Sequence, residues 1–381
     1  MVSIFQWVQA WLLEVREDFA YLPLFIQSAI IVSLIAIAGT LLAYLGLMLS
    51  RGLKYYRDRR NKPVSVQIDA LILEYMMQCI LATEPPELPV AAFRQLPLHR
   101  AWARKLVVQK ILHYRRNFSG VSAAAFRQLY EALGLHEQAL QKLRSGHPPL
   151  VVEALSELFN MEIIVDEAVV LPMTTSSHRY VREMARCYLA KCSAQHPLDF
   201  FSNIDTPLLP WEQFELFRVI SQRKDLPAPS FAQWIQPAFH PTVISFSLKM
   251  AAHFQQYEAI PAISRLLPSD DVQLRALAIN SLGKLMAEET EEALVAMYPT
   301  QPQSCKSEIL KALGRIGSGK QLGFLKQEFL HAQDFDLKKQ AARSIVHHDV
   351  LAQPMLWDLQ AESVGMQHVI LQHSLNPSIK F

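Results

Sequence analysis

The sequence predicts an all-α chain: an α-solenoid of about seven helical repeats, preceded by a helical region and one transmembrane helix. Three observations predict it. A triad of apolar or small residues at i, i+4 and i+8 returns seven times, as Leu150–Ala154–Leu158, Val181–Ala185–Leu189, Glu212–Leu216–Ile220, Val243–Ser247–Ala251, Leu274–Ala278–Leu282, Cys305–Ile309–Leu313 and Leu337–Ala341–Ile345. Its starts lie 31 residues apart five times and 32 apart at the last step. A charge-free run of 32 residues extends from Phe19 to Ser50. Composition agrees: 51% of the residues are hydrophobic and only 12 of 381 are glycine, as suits helices joined by short turns.

Residues 1–21 read as a short exported tail bearing Trp7 and Trp11. Residues 22–50 read as the membrane helix. The 26 uncharged residues from Leu24 to Leu49 make about 39 Å of helix, enough to cross a hydrocarbon core of roughly 30 Å with tilt. A cleaved signal peptide is the competing reading, since Ala36-Ile37-Ala38-Gly39 resembles a cleavage site. It fails on the flanks: Glu14, Glu17 and Asp18 outweigh Arg16, and the apolar run continues eleven residues past Ala38. Residues 51–62 form a basic juxtamembrane segment. Arg51, Lys54, Arg57, Arg59, Arg60 and Lys62 are opposed only by Asp58. The positive-inside rule then puts the C-terminal side in the cytoplasm of a bacterial inner membrane, with the six cations as candidate contacts to an anionic lipid surface. Gly39, Ala43 and Gly46 share one face, which would let two spans pair as a homodimer; small residues facing lipid are the competing reading.

Residues 63–145 read as a basic helical adaptor or cap. Helices are expected over Val64–Ala82, Leu98–Asn117 and Val121–Leu133, the first ended by Pro85-Pro86 and the last by Gly134. Ten Lys/Arg face two Glu between residues 91 and 145, whereas residues 146–381 carry twenty basic and twenty-five acidic residues. Trp102 lies among the cations, but Trp102, Leu106 and Val107 fall at helical spacing. The aromatics therefore read as core and the cations as a solvated face, which disfavours nucleic acid.

Residues 146–381 read as the solenoid. The triad spacing lines one helix face, and a second apolar stretch follows each triad, such as Ala259–Leu267 or Leu322–Phe329. Two helices and two turns fit the period, and units this small bury a core only by stacking. The best-formed units are Leu274-Arg275-x-x-Ala278-x-x-Ser281-Leu282-Gly283 and Cys305-Lys306-x-x-Ile309-x-x-Ala312-Leu313-Gly314. They resemble HEAT repeats of the short bacterial type, related to armadillo units, over about residues 146–365. Units three and four depart from the pattern, with Glu212-Gln213 and Ile244 at the apolar–basic opening. The stretch from Leu129 to Ser145 is similar to the opening region of membrane-anchored bacterial HEAT proteins, some of them associated with envelope glycosyltransferases.

Candidate chemistry is weak along the whole chain. Gly314 to Lys320 has P-loop spacing, but Gln321 replaces the hydroxyl residue and a repeat helix, not a strand, precedes it. Cys187 and Cys192, with His178 and His196 nearby, point different ways around a helix and form no zinc pattern. Asp270-Asp271 and Glu288-Glu289 suit helix starts, and His347-His348-Asp349 reads as exposed polar groups at a helix end. The expectation is a non-enzymatic, cofactor-free, membrane-anchored scaffold or adaptor for a protein partner. Arg182, Arg275, Lys306 and Lys338, which repeat at one place in their units, are the candidate partner-binding residues; bridging to carboxylates of neighbouring repeats is their competing role. The resemblance implies an accessory subunit of an envelope glycosyltransferase or polysaccharide-export system as the alternative. A HEAT-like lyase, of the kind that attaches bilins to proteins, is the remote one.

Overall fold

A computed structural model of the chain describes residues 21–81, 86–117, 121–194, 197–223 and 227–376. The exported-tail assignment for residues 1–20, and His196, lie outside them. The described residues form eighteen α-helices and seven 3-10 turns, with no strand. Contacts divide the chain into two units, residues 1–135 and 136–381.

In the first unit, α1 runs unbroken over Leu24–Leu81, 58 residues. It joins segments that hydropathy and Pro63 divide into a span, a basic stretch and a separate helix. Pro63 removes one amide from the ladder, yet the residues on either side stay helical. Ser33 Oγ donates to Ala29 O at 2.8 Å and Thr40 Oγ1 to Ala36 O at 2.7 Å. These hydroxyls return to their own backbone, as serine and threonine inside helices do. The two halves of α1 differ in partnership. Among the described residues, Leu24 to Ser50 is exposed along almost its whole length, Leu24, Leu42 and Tyr44 included. From Ile68 onward Ile68, Ile72, Tyr75 and Met76 are buried, following the helical period. They pack on α3, Ala101–Asn117, which contributes Ala103, Val107 and Ile111. Each fully buried isoleucine is worth roughly 1.5–3 kcal/mol. Asp69 fixes the register by accepting from Lys110 Nζ at 2.7 Å and Tyr114 Oη at 3.1 Å. Short α2, Val90–Arg94, and α4, Val121–Ala132, complete this unit.

In the second unit, α5, Leu135–Leu143, is followed by seven longer helices: α6 Pro148–Met161, α8 Arg179–Cys192, α9 Pro210–Gln222, α10 Pro241–His253, α12 Val272–Lys284, α14 Gln303–Ile316 and α16 Phe335–His347. They start 31 residues apart five times and 32 once. Four carry proline at the helix start or just before it, where a missing N–H costs nothing; Asp271 and Asp334 cap α12 and α16. Between them lie shorter helices: α7 Glu167–Val170, α11 Ile260–Ser264, α13 Glu291–Met297 and α15 Leu322–His331, with α17 Gln353–Glu362 and α18 Met366–Ser374 at the end. After α8 and α9 the expected second helix shrinks to 3-10 turns at Asp199–Asn203 and Phe231–Trp234. Prolines at 207, 227, 229 and 237 leave no room for more. Those turns still deliver Phe200, Phe201, Phe231 and Trp234 to the core.

Long helices pack on one another in sequence, α10 on α12, α12 on α14 and α14 on α16. Small residues make the approach close. A β-carbon on Gly283 would sit 2.6 Å from Ala312 Cα, and one on Gly314 would sit 2.8 Å from Ser344 Cα. Hydroxyls cross the same interfaces: Ser281 Oγ donates to Leu248 O at 3.3 Å and Ser344 Oγ to Leu310 O at 2.7 Å.

Candidate partner-binding surface

The turns that lead into α6, α8, α12 and α15 repeat a local device. Ser145, Ser176, Ser269 and Ser318 each accept at Oγ from the amide two residues on, at 3.2–3.3 Å, a hydroxyl-stabilised turn. Arg182 and Arg275, fourth in α8 and α12, reach back to these turns. Arg182 Nη1 donates to Ser176 O at 2.6 Å, and Arg275 Nη1 donates to Ser269 O. Lys306, fourth in α14, places Nζ 5.3 Å from the ring centre of Tyr298. Lys338, fourth in α16, is half-buried. Among the described residues none of the four forms an ion pair with a carboxylate. Two of these cations thus hold the fold of their own repeat, so substituting them would perturb structure and binding together.

The six cations from Arg51 to Lys62 all lie on α1 and are exposed. At ~100° per residue they are distributed around the whole helix rather than along one side. Arg60 also stacks over Trp102 of α3, 4.4 Å from guanidinium carbon to ring centre, a contact worth about 0.5–1 kcal/mol.

Arg186 and Glu212 escape sequence reasoning. Arg186 is fully buried in α8, and its Nη1 donates to Glu212 Oε1 at 2.9 Å while Nε donates to Thr174 O at 3.0 Å. Glu212 is 2% exposed and occupies an apolar place in the triad of α9. The signal was present as a departure from the pattern: a carboxylate at a core position demands a buried cation. Beside it, burial pushes the Cys187 thiol up to about 12, with smaller contributions from Glu215 and Glu212. That thiol is inert at ordinary pH. Burial raises the Tyr298 phenol too, reinforced by its 2.6 Å bond to Glu328 Oε2.

The chemical motifs resolve into structure. Gly317 closes α14 with φ 67° and Gly319 follows at φ 82°, the left-handed conformations of a helix end. Ser318 Oγ bonds the buried Glu291 carboxylate at 2.7 Å. Cys187 and Cys192 are buried while His178 is exposed. Among the described residues no three His, Cys, Asp or Glu converge to hold a metal ion. The His347–Asp349 end is only partly exposed: His348 is buried, its Nδ1 2.7 Å from Ser344 O. At the C-terminal end, α17 and α18 leave Trp357, Met366 and Val369 exposed, with Val364 between them.

No protein-family model matches the chain, and no curated protein is significantly similar to it. Among solved structures, it is similar to an engineered protein at 16% identity and a TM-score of 0.32, covering 81% of this chain and 87% of that one. It is also similar to the complex of CpcE and CpcF of phycocyanin lyase from Nostoc sp. PCC7120, at 15% identity and a TM-score of 0.25, covering 78% of this chain and 97% of that one.

Proposed function

We propose that this chain is a single-pass membrane protein whose seven helical units stack as a HEAT-like α-solenoid and recruit another protein to the cytoplasmic face of a bacterial inner membrane. The observation that carries the reading is the division of labour within α1. Its first half is apolar and, among the described residues, exposed, with a mean hydropathy of 2.4 over the best window and 0% of that window buried. Its second half is built into a folded core through Ile68, Ile72, Tyr75 and Met76. One rigid element would therefore couple a bilayer to a folded unit, and residues 51–63 would add about 20 Å of helix beyond the hydrocarbon. The exposed cations from Arg51 to Lys62 fit the headgroup layer and the positive-inside orientation. Exposed Trp357, Val364, Met366 and Val369 are the kind of apolar surface that marks a protein interface.

The test is affinity capture of the full-length chain, solubilised in mild detergent from its native membrane. A stoichiometric protein partner is expected, and a glycosyltransferase among the captured proteins would identify the class that the sequence resemblance implies. Recovery of the chain from the soluble fraction, or capture of no partner, would sink the reading.

A further inference from the structure

The outward side of the long helices carries a charge pattern that the repeat itself does not require. In α12 the buried residues Leu274, Ala278, Ser281 and Leu282 define the inner face, so Asn280 and Lys284, one turn apart, lie on the opposite one. The same two rows hold Lys249 and His253 in α10, Lys311 and Arg315 in α14, and Arg343 and His347 in α16. Lys339 of α16 lies on the same side. Lys249, Lys284 and His347 are exposed, and Lys311, Arg315, Lys339 and Arg343 are half-buried. Two carboxylates share this side. Each meets a cation three residues on, Glu308 with Lys311 at 2.7 Å and Asp336 with Lys339 at 3.7 Å. Six Lys/Arg against two acids give this face a net charge of +4 (6 − 2), although residues 146–381 hold twenty basic and twenty-five acidic residues. The helix dipole accounts for cations in the last turn, such as Lys284 and Arg315. It does not account for Lys249, Lys311 or Arg343, which precede that turn.

We propose that this face of α10, α12, α14 and α16 docks an acidic helical segment of the partner protein. The inference deepens the protein-binding reading above and rests on it. Packed helices lie about 8–10 Å apart, so the cation rows recur at that interval over about 30 Å. Seven residues of an α-helix rise about 10.5 Å and return to the same side, so carboxylates at heptad spacing come close to the upper end of that interval. Same-face residues of an extended strand recur at about 7 Å and fall out of step. The surroundings exclude a broad polyanion. Asp270 and Asp271 are exposed where α12 begins, and Glu288, Glu289 and Glu292 are exposed just beyond its end. A nucleic-acid duplex or a bilayer would press its phosphates onto these acids, whereas a single helix fits between them.

The probe is a fluorescein-labelled helical peptide about three heptads long, with glutamates on one face and alanine and glutamine elsewhere. Its anisotropy is titrated with the full-length chain in detergent. Saturable binding that weakens with salt is expected. Lys249→Glu with Lys284→Glu, both exposed positions, should weaken it at least about tenfold, and Lys249→Gln with Lys284→Gln by less. Arg265→Glu with Lys320→Glu, exposed cations outside this face, should leave it within about twofold. No binding, binding indifferent to K249E/K284E, or displacement of the peptide by duplex DNA or phosphatidylserine vesicles of equal charge would overturn the proposal. Capturing the native partner with the same variant separates the two readings. A partner held equally by wild type and K249E/K284E overturns only the ridge, whereas no partner on either overturns the protein-binding reading with it.

Discussion

Replacing Gly314 with alanine measures how closely the long helices are stacked. The added methyl would meet Ser344 Cα, Cβ and Oγ, all at 2.8 Å, about an ångström inside ordinary contact. Because Cα belongs to the backbone of α16, no rotamer change relieves the clash, and the two helices must move apart. Overpacking of this kind costs about 1–3 kcal/mol. Alanine returns about 0.5–1 kcal/mol through helix propensity and the reduced freedom of the unfolded chain, leaving a net loss of up to about 2.5 kcal/mol. In a unit spanning residues 136–381, that lowers Tm by up to about 10 °C. Gly323 is the matched control: it lies in α15, and a β-carbon there meets nothing within 4 Å. Gly323→Ala should raise Tm slightly. Thermal unfolding followed by far-UV circular dichroism, on the full chain in detergent, compares the two. Shifts of the same sign and size would refute the close approach, and with it the account of why glycine follows leucine in these repeats.

Other perturbations act on single groups. Arg186→Met strands a buried Glu212 carboxylate and should cost about 3–5 kcal/mol in urea unfolding, whereas Arg186→Met with Glu212→Leu should recover most of it. Full cost in the double variant would contradict the pairing as the cause. Stability should also fall in alkali. The Cys187 thiol keeps its proton in the fold up to about 12, while in the unfolded chain it ionises near its ordinary 9.0. The folded state therefore binds more protons between those values, and unfolding becomes easier by about 1.4 kcal/mol per pH unit. Tyr188 and Tyr298, also raised by burial, add to the fall at higher pH. Cys187→Ala should flatten the dependence, and an unchanged slope would exclude the thiol as its source.

Much of the helix register was legible because the core is local and periodic. All twenty-one triad positions lie in helices, and all but Leu150 are buried. Leu150 is 38% exposed because it lies in the first turn of α6. The period was read from residues that face inward, so it said little about what faces out. Arg182 and Arg275 recur as a surface motif would, yet their guanidiniums close turns six residues back, a contact that spacing alone does not reveal. Glu212 was a fault in the pattern whose partner, Arg186, lies 26 residues earlier in another helix. The continuity of α1 across Pro63 was hidden because a proline and a change in hydropathy coincide there. The 3-10 turns after α8 and α9 follow from prolines whose effect outweighs the apolar pattern.

That one continuous helix ties a bilayer to a folded helical unit is tested most directly by protease accessibility of a C-terminal epitope in inside-out membrane vesicles washed with alkali. The tag should remain with the alkali-washed membrane and be digested without detergent, placing residues beyond Ser50 on the cytoplasmic side. Release of the tag by the wash, or protection until detergent is added, would contradict the anchor in the first case and its orientation in the second.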